Sequence, residues 1–381
     1  MNMPTLSARP PVTANYDFFV AELHRLAQRI ASGDVQVDAA LNQLLTQLQA
    51  HADPRCTGLY VFGSALAQRL AGDLAQDANL YLRRFDVPQI ELFNLLGRCM
   101  PIVALATQVA NNALAQAMQG QAHPIVIDIG IGTGRQVAAL MEGLAAQGQL
   151  PKQMTVIGVE PAAEALAAAR SALFASASRL GTTLRFHGFA ACSETLSDVD
   201  WQALEALCVT RPVVNAAFAL HHIADDAQGH CQRNRVLGRL HALEPLCLVL
   251  SEPDVDHLEP RFGARFENCF AHFGAVFQLL DVLDLAQHER DALKVGFFGR
   301  EIHDILGTPE AQRRERHETA AAWLQRLQAT GFEVQPAANG LPASSHAAVL
   351  AVKDGQRVVL MAGGESVVSV MVAKPRAAST R

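Results

Sequence analysis

The hydrophobic pattern of the chain changes character once, at Pro124. From Tyr16 to Gly120, apolar residues recur at helical spacing and no alternating, strand-like run interrupts them. After Pro124, short β-branched runs alternate with helical segments. The first part is therefore predicted to be a bundle of short helices, and the second a largely parallel sheet with helices on both faces.

The domain boundaries follow from the same pattern. Residues 259–305 return to a helical pattern that is too long for a loop, so they are predicted to be an insertion that contributes to the helical part. The runs QRVVLMA and ESVVSVMVA, joined through Gly363 and Gly364, predict an antiparallel C-terminal hairpin. The predicted segments are a disordered tail at 1–14, a helical cap at 15–120, a Rossmann-like α/β core at 121–373 and a second tail at 374–381.

The core is expected to consist of right-handed βαβ units. Its strand candidates are PIVIDIG, MTVIGVE, TTLRFHGF, PVVNAAFAL and PLCLVLSEP, and the helices between them are predicted at 135–147, 162–180, 200–207 and 233–243. A short strand at FEVQP precedes the hairpin.

Composition narrows the classes of function. Of 381 residues 50% are hydrophobic, and 31 Lys and Arg against 37 Asp and Glu give a net charge of -6. That balance, without a basic stripe or zinc-finger spacing, argues against nucleic-acid binding. Seven scattered cysteines without a CxxC pair indicate reduced thiols and a cytoplasmic protein. No apolar run reaches the roughly 20 residues of a membrane span, and the start lacks a signal-peptide core, so neither membrane insertion nor export is expected.

The sharpest motif is VIDIGIGTGRQ, in which a strand ending at Asp128 runs into Gly130, Gly132 and Gly134. A dinucleotide fingerprint would place its third glycine at position 135, which is Arg135, and a phosphate-binding P-loop would end in Gly-Lys-Ser/Thr. The motif resembles the first motif of class I S-adenosylmethionine-dependent methyltransferases. That resemblance implies glycines that let the backbone approach the cofactor and a helix amino end that faces its carboxylate. A tight strand-to-helix turn without a ligand is the alternative.

Two further strand ends complete the candidate cofactor site. Glu160 ends the next strand, where a doubly wound fold places an acid that accepts hydrogen bonds from ribose hydroxyls. Alternatively, Glu160 only opens the following helix. Asn215 ends the fourth strand and is assigned to the same site. The segment FHGFAACSE lacks the acid that often reads adenine, so backbone groups of 189–192 are expected to do so. The expected cofactor is S-adenosylmethionine, or S-adenosylhomocysteine as its product.

The turn after the fourth strand contains residue types that can bind a metal ion. Its candidate ligands are His221, His222, Asp225, Asp226 and His230. Because no second cluster stands at a fixed spacing from them, a satisfied histidine pair beside the cofactor is favoured and no metal is expected.

Several blocks together resemble the GRAS family, known as plant transcriptional regulators and also present in bacteria. FFVAELHRLAQRIASGDVQVDAALNQLL resembles its first leucine-rich segment, ATQVANNALAQAM its Thr-Ala-Asn-Gln-Ala stretch, and PIVIDI its Val-His-Ile-Ile-Asp block. FFGREIHDIL and RRERHETAAAWLQRLQATGF match further blocks, so the chain is identified as a GRAS-family member of bacterial type over 18–373. It departs from the family where VVSVMVA lacks the tryptophan of the terminal SAW block, and where it keeps the glycine loop that the plant regulators have largely lost.

Two functions remain open. The first is a class I methyltransferase-like enzyme acting on a small molecule, with Glu252 and then His257 as candidates to assist the acceptor because they follow the fifth strand. The second is a non-catalytic module that senses a small molecule or binds a protein partner, as the resemblance to the plant regulators implies. The candidate substrate-binding residues are Asn111, Arg265, Asn268, His272, Arg300 and Glu301. For Arg300 and Glu301 an ion-pair network with Arg316 and Glu318 is the alternative.

Overall fold

A computed structural model describes residues 12–34, 36–72, 89–225, 231–337 and 341–376. They divide into a helical unit, Met1–Leu95 with Glu259–Arg313, and a sheet unit, Leu96–Leu258 with Arg314–Arg381. Of the tail predicted at 1–14, residues 1–11 lie outside the described residues, and the first helix begins at Val12. The tail predicted at 374–381 starts inside a strand that runs to Pro375, and 377–381 are also outside the described residues.

The elements are numbered in chain order. The helices are α1 (Val12–Ala31), α2 (Asp38–Ala50), α3 (Cys56–Ala71), α4 (Gln89–Cys99), α5 (Pro101–Met118), α6 (Arg135–Ala146), α7 (Ala163–Leu180), α8 (Asp198–Leu207), α9 (Gln232–Ala242), α10 (Phe262–Val282), α11 (Gln287–Asp291), α12 (Phe298–Gly307) and α13 (Ala320–Ala329). The strands are β1 (Ile125–Ile129), β2 (Gln153–Val159), β3 (Thr183–Phe189), β4 (Val213–Ala217), β5 (Cys247–Pro253), β6 (Phe332–Val334), β7 (Val349–Asp354), β8 (Arg357–Ala362) and β9 (Glu365–Pro375).

The helical unit has one core shared by its two chain segments. The ring of Phe62 on α3 packs tilted against Phe270 of α10, with 4.9 Å between ring centroids. His303 of α12 is buried between two side chains of α3, with Nε2 at 2.9 Å from Ser64 Oγ and Nδ1 at 2.6 Å from Gln68 Oε1. The segment after Glu259 therefore packs with the N-terminal helices and forms no separate body of its own.

The sheet unit is built on a mixed sheet with the order β3-β2-β1-β4-β5-β9-β8-β7. The first five strands are parallel, β9 pairs antiparallel with β5 and β8, and β6 pairs with β9. This confirms the predicted α/β class with a C-terminal antiparallel hairpin, and the four helices predicted between strands lie within two residues of α6, α7, α8 and α9. Strand β7 was not predicted.

Helix α5 lies in the sheet unit, although the sequence analysis groups it with the helical cap. It packs against β4, β5, β8 and β9 and buries apolar residues such as Ile102, Leu105 and Leu114. The sheet unit therefore starts at Leu96 instead of 121. Helical periodicity identifies an apolar face but not the element that covers it, which is why the pattern placed the boundary too late.

The described residues contain no single helix that is both long and apolar enough to cross a membrane. The bent pair Glu91–Cys99 with Pro101–Met118 meets the length and composition criteria only when its helices are taken together.

Candidate functional site

The loop between β1 and α6 needs its glycines for two different reasons. Gly130, Gly132 and Gly134 all have a positive φ, of 75°, 53° and 78°, which side-chain-bearing residues rarely adopt. A Cβ at Gly130 would stand 2.7 Å from Ala219 Cβ, and one at Gly134 would stand 3.2 Å from Ala169. A Cβ at Gly132 would meet no atom within 4 Å. The first and third glycines thus allow close packing inside the protein, whereas Gly132 faces open space.

Glu160 is bound to the middle of this loop. Its Oε2 accepts the backbone N–H of Gly132 at 3.0 Å, and its Oε1 accepts the N–H of Ala162 at 3.0 Å. The carbonyl of Phe189, where adenine contacts were expected, accepts the N–H groups of Glu160 and Ala191, each at 3.0 Å. Each carboxylate oxygen of Glu160 has room for a second donor. Glu160 therefore binds the loop at Gly132 and the residue that precedes α7, an arrangement compatible with both interpretations.

Beneath the loop lies a chain of buried polar groups. Asn215 Nδ2 donates to Asp128 Oδ1 at 2.8 Å, as the paired register of β1 and β4 dictates. Asn215 Oδ1 accepts from Gln136 Nε2 at 2.9 Å, and Asn111 Nδ2 donates to the carbonyl of Gln136 at 3.1 Å. Asn215 is only 1% exposed. Two sequence-predicted cofactor residues, Asp128 and Asn215, are thus brought together below the loop with Asn111 at the end of the chain.

Burial dominates the electrostatics of Asp128. Desolvation raises the pKa of this carboxyl to about 7, although the hydrogen bond from Asn215 acts in the opposite direction. A neutral Asp128 can remain in this apolar strand without an ionic partner.

Glu252 lies under the turn that follows β4. Its Oε1 accepts the backbone N–H of Leu220 at 2.8 Å and of Ala219 at 3.3 Å, and its Oε2 lies 2.5 Å from His221 Nδ1. The side chain has no exposed surface, and burial raises its pKa to about 7. The structure therefore places Glu252 at the carboxyl end of β5 as expected, but in contact with protein groups. Its role as a base stays a prediction.

Two residues that the sequence analysis did not assign to the site, Glu315 and His317, complete this cluster. Glu315 Oε2 lies 3.4 Å from His317 Nε2, 3.6 Å from His221 Nε2 and 3.2 Å from His222 Nδ1. His317 Nδ1 contacts Nδ1 of His257 at 2.9 Å, and both rings are almost fully buried.

Burial disfavours the charged form of His221 and of His317. Burial lowers the pKa of His221 well below its usual value and that of His317 to about 4. Burial alone would raise the pKa of Glu315, but hydrogen bonds from His222 and His317 hold it well below its usual range.

A buried ion-pair network lies beside the histidines. Arg233 is 1% exposed, with Nη1 3.3 Å from Glu318 Oε1, and Glu318 is also bound by Arg326 through two nitrogens. Glu318 thus pairs with arginines of α9 and α13, both within the sheet unit.

The remaining substrate-binding candidates belong to the helical unit. Arg265 is buried, and its Nη1 donates to the carbonyl of Glu259 and to Glu310 Oε2, both at 3.0 Å. His272 is buried with its ring edge-on to Phe273. The roles predicted for Arg265, Asn268, His272, Arg300 and Glu301 stay predictions.

The sequence suggested a metal site at the turn after β4, and not all of its candidate ligands lie in the cluster around Glu315. Asp226 and His230 lie outside the described residues. Asp225 Oδ1 lies 4.0 Å from Arg233 Nη2. Of the members of that set that the structure describes, His221 and His222 reach Glu315.

Comparison with known proteins identifies the class. Residues 19–360 match the GRAS domain family, and the chain belongs to this family. Scarecrow-like protein 21 of Arabidopsis thaliana is 27% identical over 259 residues, which are 66% of this chain and 61% of that protein. The chain spans about half to three fifths of the length of the first curated relatives it matches. The relative named here is a plant protein, and the expected bacterial type stays a prediction.

A solved structure of a plant protein shares the fold. SCL7 of Oryza sativa superposes with a TM-score of 0.75 at 23% identity, covering 96% of this chain and all of that chain, which shows a shared fold. The plantazolicin methyltransferase BamL, in complex with a triazolic desmethylPZN analog and SAH, matches with a TM-score of 0.40 at 10% identity over 83% of this chain and 97% of that chain. So slight a likeness carries no argument about fold or function.

Proposed function

We propose that this GRAS-family protein binds S-adenosylmethionine at the loop from Asp128 to Gly134 and methylates a small-molecule acceptor. The observation that supports this most directly is the pairing of Gly132 with Glu160. Gly132 offers backbone with no protein atom within 4 Å of where a Cβ would be, and the adjacent Glu160 carboxylate has remaining acceptor capacity. Backbone open to close approach beside an acid on the next strand is the arrangement that binds a nucleoside's ribose in doubly wound folds.

Two features next to the loop fit an adenosylated amino acid. Helix α6 starts at Arg135 directly after the loop, and its amino end favours a carboxylate such as that of the methionyl group. Asn111 Oδ1 is buried and, among the described residues, has no hydrogen-bond partner. A buried acceptor costs free energy unless a ligand or water donates to it, so Asn111 is suited to receive a donor of a bound molecule.

Methyl transfer is an in-line displacement that depends mainly on positioning and exclusion of water. Asp128 and Asn215 would then hold the loop from below, since their polar atoms are bonded to each other and to Gln136. Glu252 and His257 remain the proposed groups that assist an acceptor, acting through His221 and His317 because neither has exposed surface.

A specific observation also favours the non-catalytic alternative. The two groups expected to act as bases are both fully buried and held by protein partners. A protein that only senses a small molecule or binds a partner needs the loop but no base, so binding without turnover would support this function.

The test is calorimetric titration of the full chain with S-adenosylmethionine, S-adenosylhomocysteine and NAD in parallel. We expect both sulfur-containing ligands to bind with one site and NAD not to bind, because Arg135 replaces the third glycine of a dinucleotide loop. At a hundredfold excess over its Kd a ligand should also stabilise the fold by about 2.7 kcal/mol. Binding of NAD alone would overturn the proposal. Cofactor binding with no methyl transfer to any of a broad panel of hydroxyl, amine and thiol acceptors would favour the sensing module.

A further inference from the structure

The buried cluster of His221, Glu315 and His317 has a use beyond the cofactor loop. We propose that these three residues bind a divalent transition-metal ion through His221 Nε2, His317 Nε2 and a carboxylate oxygen of Glu315. Their ligand atoms all lie within 4.8 Å of one another. The site is independent of whether the loop binds S-adenosylmethionine.

The spacing of the ligand atoms fits such an ion. Glu315 Oε2 lies 3.4 Å from His317 Nε2 and 3.6 Å from His221 Nε2. Metal bonds of about 2.0–2.2 Å to nitrogen and oxygen, at tetrahedral angles, place ligand atoms about 3.3 Å apart. The two contacts through Glu315 therefore need only tenths of an ångström of movement to bind an ion.

The outer ring nitrogens are already oriented for metal binding. His221 Nδ1 lies 2.5 Å from Glu252 Oε2, and His317 Nδ1 lies 2.9 Å from His257 Nδ1. When an ion binds, each neutral ring would carry its proton on Nδ1, which donates to Glu252 or to His257, and would give its Nε2 lone pair to the ion in place of the contact with Glu315. Metal-binding histidines are held in this way in known sites, with the second nitrogen bonded to a carboxylate or another acceptor.

Charge and access also agree with a cation. The three ligands carry one formal negative charge, and the nearby cation Arg233 is compensated by Glu318, with 3.3 Å between Arg233 Nη1 and Glu318 Oε1. The cluster reaches solvent at His222, whose side chain is 46% exposed and whose Nδ1 lies 3.2 Å from Glu315 Oε2. An ion can enter on that side, and His222 or water can supply a fourth ligand.

The donor set selects the class of ion. Two imidazoles and one carboxylate suit Zn²⁺, Co²⁺, Ni²⁺ or Fe²⁺, whereas Mg²⁺ and Ca²⁺ prefer oxygen ligands alone. Three protein ligands with a fourth position for water or substrate are the composition of open zinc sites. The metal set was missed in the sequence because its second half, Glu315 and His317, lies in a block about a quarter of the chain away from His221.

The experiment strips the full-length protein of metal with a chelator and titrates Zn²⁺ by calorimetry, with Mg²⁺ as the control ion. We expect one Zn²⁺ site and no Mg²⁺ binding. The variant His317→Gln should weaken Zn²⁺ binding about 100-fold or more, since even groups that only orient a ligand contribute about 10–100-fold. His303→Gln is the matched control, because His303 is also buried and hydrogen-bonded but lies in the helical unit. Equal Zn²⁺ affinity in His317→Gln and wild type would overturn the proposal.

A measurement on the wild type tests the proposal even if the His317→Gln variant does not fold. The protein has seven free cysteines that could bind Zn²⁺ elsewhere. X-ray absorption at the zinc edge of the one-to-one complex should show nitrogen and oxygen neighbours, including two imidazoles, and no sulfur. Sulfur in the first coordination shell, or no binding by the stripped wild-type protein, would equally overturn the proposal.

Discussion

The backbone N–H of Gly132 donates a 3.0 Å hydrogen bond to Oε2 of Glu160, a residue 28 positions later that directly follows the next strand. This bond joins the two sequence features that separately suggested a cofactor site. The glycine loop could have been only a turn, and Glu160 only the first acid of a helix. Because they contact each other at the carboxyl edge of the sheet, one ligand can touch both.

Gly132 should be needed for binding but not for folding. Gly132→Ala and Gly148→Ala carry the same backbone penalty, because both glycines have a positive φ and neither would place its Cβ within 4 Å of another atom. We expect S-adenosylmethionine affinity to fall at least about tenfold in Gly132→Ala, which is about 1.4 kcal/mol, and to stay unchanged in Gly148→Ala. Calorimetry and thermal unfolding of both variants measure this. Equal affinity in the two variants would make the loop a structural turn.

Gly130 should be needed for folding because of Ala219. In Gly130→Ala the new methyl would stand 2.7 Å from Ala219 Cβ at a φ of 75°, so we expect the free energy of unfolding to fall by about 2–4 kcal/mol. Adding Ala219→Gly removes the clash and should restore about 1 kcal/mol or more. Denaturant unfolding of the single and double variants gives the coupling. Additive losses would mean that the loop and the turn after β4 do not press on each other.

The regular parts of the sheet unit follow from the sequence for a physical reason. Buried parallel strands read as continuous β-branched runs and their helices as amphipathic segments, so β1 to β5 and α6 to α9 could be placed within a few residues. Strand β7 was not predicted because it lies at the edge of the sheet with Leu350 and Val352 exposed, so its sequence shows no clear alternation of apolar and polar residues.

The polar clusters could be predicted only in part. Asp128 and Asn215 were found because both are polar residues in otherwise apolar strand runs, and the structure pairs them in register on the neighbouring parallel strands β1 and β4. The contact of His257 with His317 joins residues 60 positions apart through a loop and a segment without regular structure. No local pattern encodes such a pairing, so the RRERHE block could be identified by family resemblance but not assigned to chemistry.

Asp128 should make stability depend on pH. Its folded pKa of about 7 lies above the value of about 3.9 for an unfolded aspartate, so the folded state binds the extra proton between those values. Its contribution is fully present below about pH 4 and is lost as pH rises through 7, at up to about 1.4 kcal/mol per pH unit. Asp128→Asn keeps the oxygen that accepts from Asn215 and cannot ionise.

We therefore expect Asp128→Asn to gain stability relative to the wild type as pH rises from 4 to 7. Denaturant unfolding at several pH values measures the difference, which cancels the titration of other groups such as Glu252. A constant difference across this range would show that Asp128 ionises normally in the folded protein.

Neutralising the buried carboxylate of Glu318 should lower the free energy of unfolding strongly. It lies 3.3 Å from Nη1 of the buried Arg233 and is also bound by Arg326. Glu318→Gln leaves the buried guanidinium with only the more distant and partly exposed Asp225 among the described carboxylates that pair with it, so we expect a loss of about 3 kcal/mol in the free energy of unfolding. Glu142→Gln is the control, because the pair of Glu142 with Arg179 is more than half exposed and should contribute less than about 1 kcal/mol.

The cause of that loss can be separated from lost packing with a second change. Arg233→Met removes the uncompensated charge while keeping most of the side-chain volume, so in the Glu318→Gln background it should restore part of the stability. Denaturant unfolding of the wild type, both single variants and the double variant measures the coupling between the two positions. If Arg233→Met lowers the free energy of unfolding as much in the Glu318→Gln background as it does in the wild type, the two residues are not energetically linked. Glu318 would then stabilise the protein through Arg326.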